Sequence, residues 1–275
     1  MIQDIEPKKM KNQFVDTQVE NSDSVFAFDG EQLVIHKNRE GILTLPERRG
    51  MKGENGDFTY LFAIDNTRYF LYRKEIEALP MGFETVNVRG LRQITSKDVC
   101  FAAATAYHLY IWYRDNKICG RCGVTLVHSD SQRMLKCPVC GNEVYPKVAP
   151  AVIVGVCDGD KILLTKYAGR AYKRYALIAG FTEIGETAEE TVKREVMEEV
   201  GIKVKNIRYY KSQPWGTDSN LLLGFFADLD GSGEISLDRE ELSTGEWFPR
   251  DNIPVEDDGI SLTRDMIEAY RSGKY

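Results

Sequence analysis

In the first hundred residues apolar and polar positions alternate over short runs that are cut by turn residues. SVFAFDGEQLVIHK and FTYLFAIDNTRYFLYRK each read as strand, turn and strand, with Asp29-Gly30 and Asp65-Asn66 at the turns. The period then changes. From Asp98 to about Asp115, DVCFAAATAYHLYIWYRD places Phe101, Leu109 and Trp112 at helical spacing. Alternation returns beyond Pro146, where AVIVGVCDGDKILLTKY predicts two strands around Asp158-Gly159. YALIAGF, IKVKNIRYYKSQ, NLLLGFFADLDG and GEWFPRDNI predict further strands, and SLTRDMIEAYRS predicts a closing amphipathic helix. Strand-rich segments with few helices give an α/β (α+β) class, with a mixed sheet held between helices in the last section. Three domains are expected: a strand-rich α/β amino-terminal domain over 1–97, a helix with a cysteine-rich module over 98–145, and the mixed-sheet domain over 146–275.

One predicted helix carries unusual charge. In GETAEETVKREVMEEVGI, Thr187 is a good N-cap, Glu190 stands where a capping box needs it, and Gly201 suits the left-handed residue that ends a helix. Its apolar spine is Ala188, Val192, Val196 and Val200. At about 100° per residue, Glu195 and Glu199 project roughly 40° apart and Glu195 and Glu198 roughly 60° apart. All three carboxylates converge beside the helix, behind Arg194, and Glu199 falls within or beside the apolar stripe. A solvated glutamate has no reason to sit there, because burying an unpaired carboxylate is costly. A hard divalent cation such as Mg²⁺ or Mn²⁺ resolves the conflict, since it takes oxygen ligands. The plainer alternative is a surface helix laced with Glu–Arg and Glu–Lys pairs.

Composition narrows the class. The chain has 275 residues, 43% hydrophobic and 28% charged, as an ordinary globular protein does. No apolar run approaches the roughly 20 residues that span a bilayer. MIQDIEPKKMKNQ has no apolar core and is no secretory signal, so a cytoplasmic protein is expected. A net charge of −6 speaks against life on long nucleic acid but leaves room for binding the end of one. Four of the six cysteines form two pairs, Cys119 with Cys122 and Cys137 with Cys140, each followed by glycine. Four thiolates make a closed tetrahedral site, so one structural Zn²⁺ per chain is expected. A redox CxxC would lie beside a βαβ unit, which is not the setting here. Cys157 reads as core, and His108 as a packed or surface residue of its helix.

The charged helix belongs to a longer pattern. Gly180, Glu186, Arg194, Glu195, Glu198, Glu199 and Gly201, with Val196 and Ile202 at the aliphatic places, match the Nudix box at every defining position. The chain resembles a Nudix hydrolase, a family that cleaves nucleoside diphosphates linked to another group. The resemblance implies a Nudix α/β/α sandwich, metals on Glu195, Glu198 and Glu199, an orienting Arg194, and a loop supported by Glu186. Glu241, in DREELSTGEW, falls at a further metal-binding or catalytic glutamate of the family. A Cys₄ zinc ribbon just before the Nudix domain, after a domain of about 100 residues, is similar to the NADH pyrophosphatase (NAD diphosphatase) group. Tyr145-Pro146, Phe181 after Gly180, and Ser212-Gln213-Pro214-Trp215 match that group. Its signature then runs Pro-Phe-Pro-any-Ser, whereas this chain has Gly216, Thr217, Asp218 and, in place of the serine, Asn220.

That likeness implies hydrolysis of NADH or NAD⁺ to nicotinamide mononucleotide and AMP, with Glu198, Glu199 or Glu241 as general base. It also implies cleavage at the 5′ end of NAD-capped RNA, substrate contacts from Tyr145, Phe181, Gln213 and Trp215, a Nudix-like amino-terminal domain, and a homodimer. Asp218 would either place negative charge near the diphosphate or hydrogen-bond a ribose hydroxyl. The rivals are a Nudix diphosphatase acting on ADP-ribose or dinucleoside polyphosphates, and a nucleic-acid-binding regulator working through the ribbon.

Overall fold

The computed structural model describes residues 1–37, 43–79, 81–93, 95–169 and 173–275. The alternating runs at the start fold as short strands: β1 (Met10–Lys11), β2 (Ser24–Phe26), β3 (Phe28–Asp29), β4 (Gln32–Lys37), β5 (Leu43–Thr44), β6 (Phe58–Ile64), β7 (Thr67–Tyr72) and β8 (Phe83–Asn87). They make two sheets, one ordered β1-β6-β7-β2 and one in which β4 pairs with β3, β5 and β8. Both expected hairpins form. Gly30 turns β3 into β4 at φ 55°, and Asp65 turns β6 into β7 at φ 51°, a left-handed backbone that aspartate tolerates better than most residues.

Helix α1 (Lys97–Asp115) follows, with Phe101, Leu109 and Trp112 all buried. Alanines at 102, 103, 104 and 106 are buried too, so other backbone can approach the helix closely. Next comes a small sheet of β9 (Val127–His128), β10 (Leu135–Lys136) and β11 (Glu143–Val144), ordered β11-β10-β9. By contact the chain divides into two compact units. One holds Gln3–Lys147 together with Trp215–Ser219; the other holds Met1–Ile2, Val148–Pro214 and Asn220–Tyr275.

The second unit is built on β12 (Ala149–Asp158), β13 (Lys161–Tyr167), β14 (Ile178–Phe181), β15 (Lys203–Trp215), β16 (Asn220–Asp230) and β17 (Leu242–Pro249). The sheet runs β15-β16-β12-β13-β17, with β14 also on β12. It is mixed: β16 lies parallel to β12, while β13 and β14 lie antiparallel to it. Successive strand residues face opposite sides of a sheet, and β12 uses both. Val152, Val154 and Val156 pack with Val192, Val196 and Val200 of α2 (Ala188–Val200). Ile153 and Cys157 pack instead with Leu262, Met266 and Tyr270 of α3 (Leu262–Arg271). The result is the expected α/β/α sandwich. Each of the three α2 valines is fully buried, which contributes about 1.5–3 kcal/mol apiece and holds that helix against the sheet.

Candidate active site

Helix α2 starts as its sequence dictates. The Thr187 hydroxyl accepts from the Glu190 amide, the Glu190 carboxylate accepts from the Thr187 amide, and Gly201 ends the helix at φ 69°. With its valines fixed in the core, α2 can present its carboxylates in one way only. Glu195 and Glu199 are buried, at 9% and 2% exposure, while Glu198 is exposed.

Arg194 ties this face together. Its Nε and one Nη donate to the two oxygens of Glu186 at 2.6 and 2.9 Å. The other Nη donates to Glu195 at 2.8 Å and Glu198 at 2.9 Å, and a further bond reaches the Phe181 carbonyl at 2.8 Å. The Arg194 guanidinium holds the Glu186 carboxyl down at about 2, helped by the Glu183 amide and the Thr191 hydroxyl. Glu195 moves the other way. Burial raises it, Arg194 opposes that, and the nearby charges of Glu198 and Glu241 add to the rise. Glu241 lies in the loop ahead of β17, near enough for its charge to be felt at Glu195, and its carbonyl accepts from the Ala168 amide at 2.8 Å. One guanidinium shared among three carboxylates, with the charge of Glu241 also felt at Glu195, leaves an excess of negative oxygen donors. That donor set fits a hard divalent cation.

Gly180 was legible only as a motif letter, and the structure supplies its reason. A Cβ built there would lie 1.9 Å from the Glu195 carboxyl carbon. Only glycine leaves room for that buried carboxylate.

The four cysteine sulfurs also converge. Their Sγ atoms all lie within 4.8 Å of one another, with Cys119–Cys140 at 3.6 Å and Cys122–Cys137 at 3.4 Å. Zn–S bonds of about 2.3 Å in a tetrahedron put sulfurs about 3.8 Å apart, so the set fits zinc. Gly123 and Gly141 turn at φ 76° and 70°, and their amides bond back to the carbonyls of Cys119 and Cys137. Amides in the same knuckle face the thiol: those of Cys140 and Val139 pull Cys137 down to about 6.

The residues expected to touch substrate are placed unevenly. Tyr145 and Phe181 are half exposed, at 49% and 54%, and offer open ring surface. Gln213 is wholly buried. Its side-chain amide donates to the Ile260 carbonyl and accepts from the Leu262 amide, both at 2.7 Å, which fixes the start of α3. Trp215 gives its ring N–H to Asp218 at 2.8 Å. Asp218 in turn pairs with Arg89 at 3.0 Å, and Arg89 also holds Glu31 at 2.9 Å. The Asp218 charge is met by a guanidinium and its oxygen by an indole. Gly216 lies so close to α1 that a Cβ would sit 2.2 Å from the Ala104 carbonyl oxygen. Nothing in the sequence pointed to Arg89, which is 129 residues from its partner.

A family profile described as NUDIX domain matches residues 147–270. The NAD-capped RNA hydrolase NudC of Photorhabdus laumondii is 40% identical over 184 residues, covering 66% of this chain and 71% of that protein. The chain belongs to the Nudix family. The Klebsiella pneumoniae protein of the same name is 39% identical, over 65% of this chain and 70% of its own length. A solved Nudix hydrolase from Nitrosomonas europaea is similar at 24% identity, over 57% of this chain and 92% of its own, with a TM-score of 0.49. Among the described residues no helix is long and apolar enough to cross a membrane.

Proposed function

We propose that this Nudix hydrolase cleaves the diphosphate bond of NADH and NAD⁺, giving nicotinamide mononucleotide and AMP, and cleaves the same bond at the 5′ end of NAD-capped RNA. The observation that carries this is the pairing of an Arg194-bound carboxylate cluster with relatives about 40% identical that are named NAD-capped RNA hydrolase. The rival substrates, ADP-ribose and dinucleoside polyphosphates, draw no support from those names.

Glu195, Glu198, Glu199 and Glu241 would hold Mg²⁺ or Mn²⁺, which when bound neutralises diphosphate charge and lowers the pKa of the attacking water. Arg194 fixes the glutamates in register, so little reorganisation is needed as charge develops. A glutamate not fully engaged by metal, Glu198, Glu199 or Glu241, takes the proton from water. Phe181, on β14 directly after Gly180, supplies a flat surface for the base or the nicotinamide ring. Gln213 acts one step removed, by setting α3. Cys119, Cys122, Cys137 and Cys140 would hold a structural Zn²⁺, since four thiolates would leave no open position for chemistry. The enzyme works as a homodimer in the cytoplasm, where four reduced thiols are readily kept for metal.

The test is product analysis. NADH incubated with the enzyme and Mg²⁺ or Mn²⁺ should yield equal amounts of reduced nicotinamide mononucleotide and AMP on chromatography. Release of free nicotinamide, or of ADP-ribose as the end product, would contradict a cut at the diphosphate.

A further inference from the structure

The unit that contains α1 and the cysteine knuckles holds a cavity of about 560 Å³ that the carboxylate site does not use. It lies where β3, the end of β7, the last turns of α1 and the ribbon strands come together. Its volume falls within the roughly 300–1,000 Å³ usual for small-molecule sites. Two features of its lining are chemical.

The first is charge. Arg73, Lys74, Arg114 and Lys117 line it, against the carboxylates of Asp29 and Glu75. In a chain of net charge −6 this local excess of cations runs against the whole. Lys74 and Arg114 each have an outside partner, Asp57 at 2.9 Å and Asp115 at 2.6 Å. Arg73 is the better anchored: it meets His128 Nε2 at 2.8 Å and also bonds the Gly56 carbonyl. Lys117 is exposed.

The second is ring surface. Phe28 stacks on Tyr110 at 4.9 Å and 28°, and Arg114 lies over the Tyr110 ring at 5.6 Å. His128 stacks on the buried Tyr113 at 4.9 Å and 14°, and His128 itself is exposed. His128 also lines the cavity. Desolvation and the Arg73 cation hold His128 down at about 4, so near neutral pH it is an uncharged flat ring that accepts from Arg73. Tyr72 adds a further ring to the wall.

Flat rings beside cations are the recognition chemistry of a nucleotide: the base stacks, and the phosphate meets guanidinium and ammonium groups. We infer that this cavity is a nucleoside-phosphate site, separate from the carboxylate cluster. The nucleotide is either free, as a released mononucleotide is, or one unit of an RNA chain; the chemistry recognised is the same. The inference does not depend on which dinucleotide the carboxylate cluster hydrolyses.

Photolabelling reads the location directly. The full-length protein is irradiated with 8-azidoadenosine 5′-monophosphate and the labelled peptides are identified by mass spectrometry. Label is expected on peptides containing Tyr72, Tyr110 or His128. AMP is then added as one competitor and 5′-phosphorylated decaadenylate as another. Loss of that label with AMP identifies a free-nucleotide site, and loss with decaadenylate alone identifies an RNA site. Arg114→Glu combined with Lys117→Glu should lower labelling there at least tenfold. Turnover of NADH should be unchanged in that variant, which also shows that it folds. Label absent from those peptides, or label there that neither competitor nor the charge reversal reduces, would overturn the inference.

Discussion

Glu195 and Glu199 lie in the apolar surroundings of α2, buried where a merely solvated glutamate would not be. That conflict was visible in the sequence, because helical spacing alone puts Glu199 beside the valine stripe. The bonds that set the geometry were not visible. Arg194 reaches back eight residues to Glu186, and Gly180 yields its side-chain volume to Glu195 from a different element. If these carboxylates hold metal or move the proton, Glu198→Gln and Glu199→Gln should each lower kcat by about a hundredfold or more. Circular dichroism should be unchanged, since the replacement is nearly isosteric. Near-native turnover in both variants would reduce α2 to a charged helix. Glu186 permits a test in pH. Its folded value near 2 lies below the ordinary value of about 4.3. The stability it contributes is therefore complete above about pH 4.3 and is lost as pH falls towards 2. Glu195, raised by burial, has the opposite sign and is protonated first on acidification. Urea unfolding of the parent and of Glu186→Gln should show a clear stability gap at pH 6 that has narrowed severalfold by pH 2.5. An equal gap at both pH values would contradict the pairing.

Elements were legible where their period was long. α1, α2, α3 and the long strands of the sandwich follow from apolar spacing and caps, and α2 begins and ends on Thr187 and Gly201 as expected. The two-residue strands β1, β3, β5 and β9 to β11 were not individually legible, because two residues carry no period and their pairing depends on distant partners. The turn after β15 is a similar case. Gly216, Thr217 and Asp218 read as a departure from the signature, yet in the fold Trp215, Gly216 and Asp218 form a contact set with Ala104 and Arg89. Forcing a methyl group into that close approach overpacks it, so Gly216→Ala should cost about 1–3 kcal/mol on thermal unfolding. No change in melting would mean that the turn readily moves off α1. The ribbon was the most legible element, since CxxC spacing announces tetrahedral sulfur. Elemental analysis should find about one zinc per chain. Cys137→Ser should lose the metal and unfold the ribbon, because binding and folding are coupled. A Cys137→Ser protein that kept both zinc and native stability would contradict that assignment.

At the scale of the whole molecule, the order of ribbon and Nudix domain and the Ser212-Gln213-Pro214-Trp215 run pointed towards dinucleotide chemistry, and the relatives' names point the same way. The departure at Gly216-Thr217-Asp218 removes a stiff proline pair and an aromatic ring. Asp218 adds no bare charge in exchange, since Arg89 meets it. NADH and NAD⁺ should both be cleaved, with weaker discrimination between them and against ADP-ribose than the full signature would give. The central claim is most directly tested by kcat/KM for NADH beside NAD⁺, ADP-ribose, a diadenosine polyphosphate and NAD-capped RNA, each with Mg²⁺ and with Mn²⁺. NADH, NAD⁺ or NAD-capped RNA should give the highest value. ADP-ribose or the diadenosine polyphosphate exceeding all three by tenfold, about 1.4 kcal/mol of transition-state preference, would contradict the nicotinamide reading.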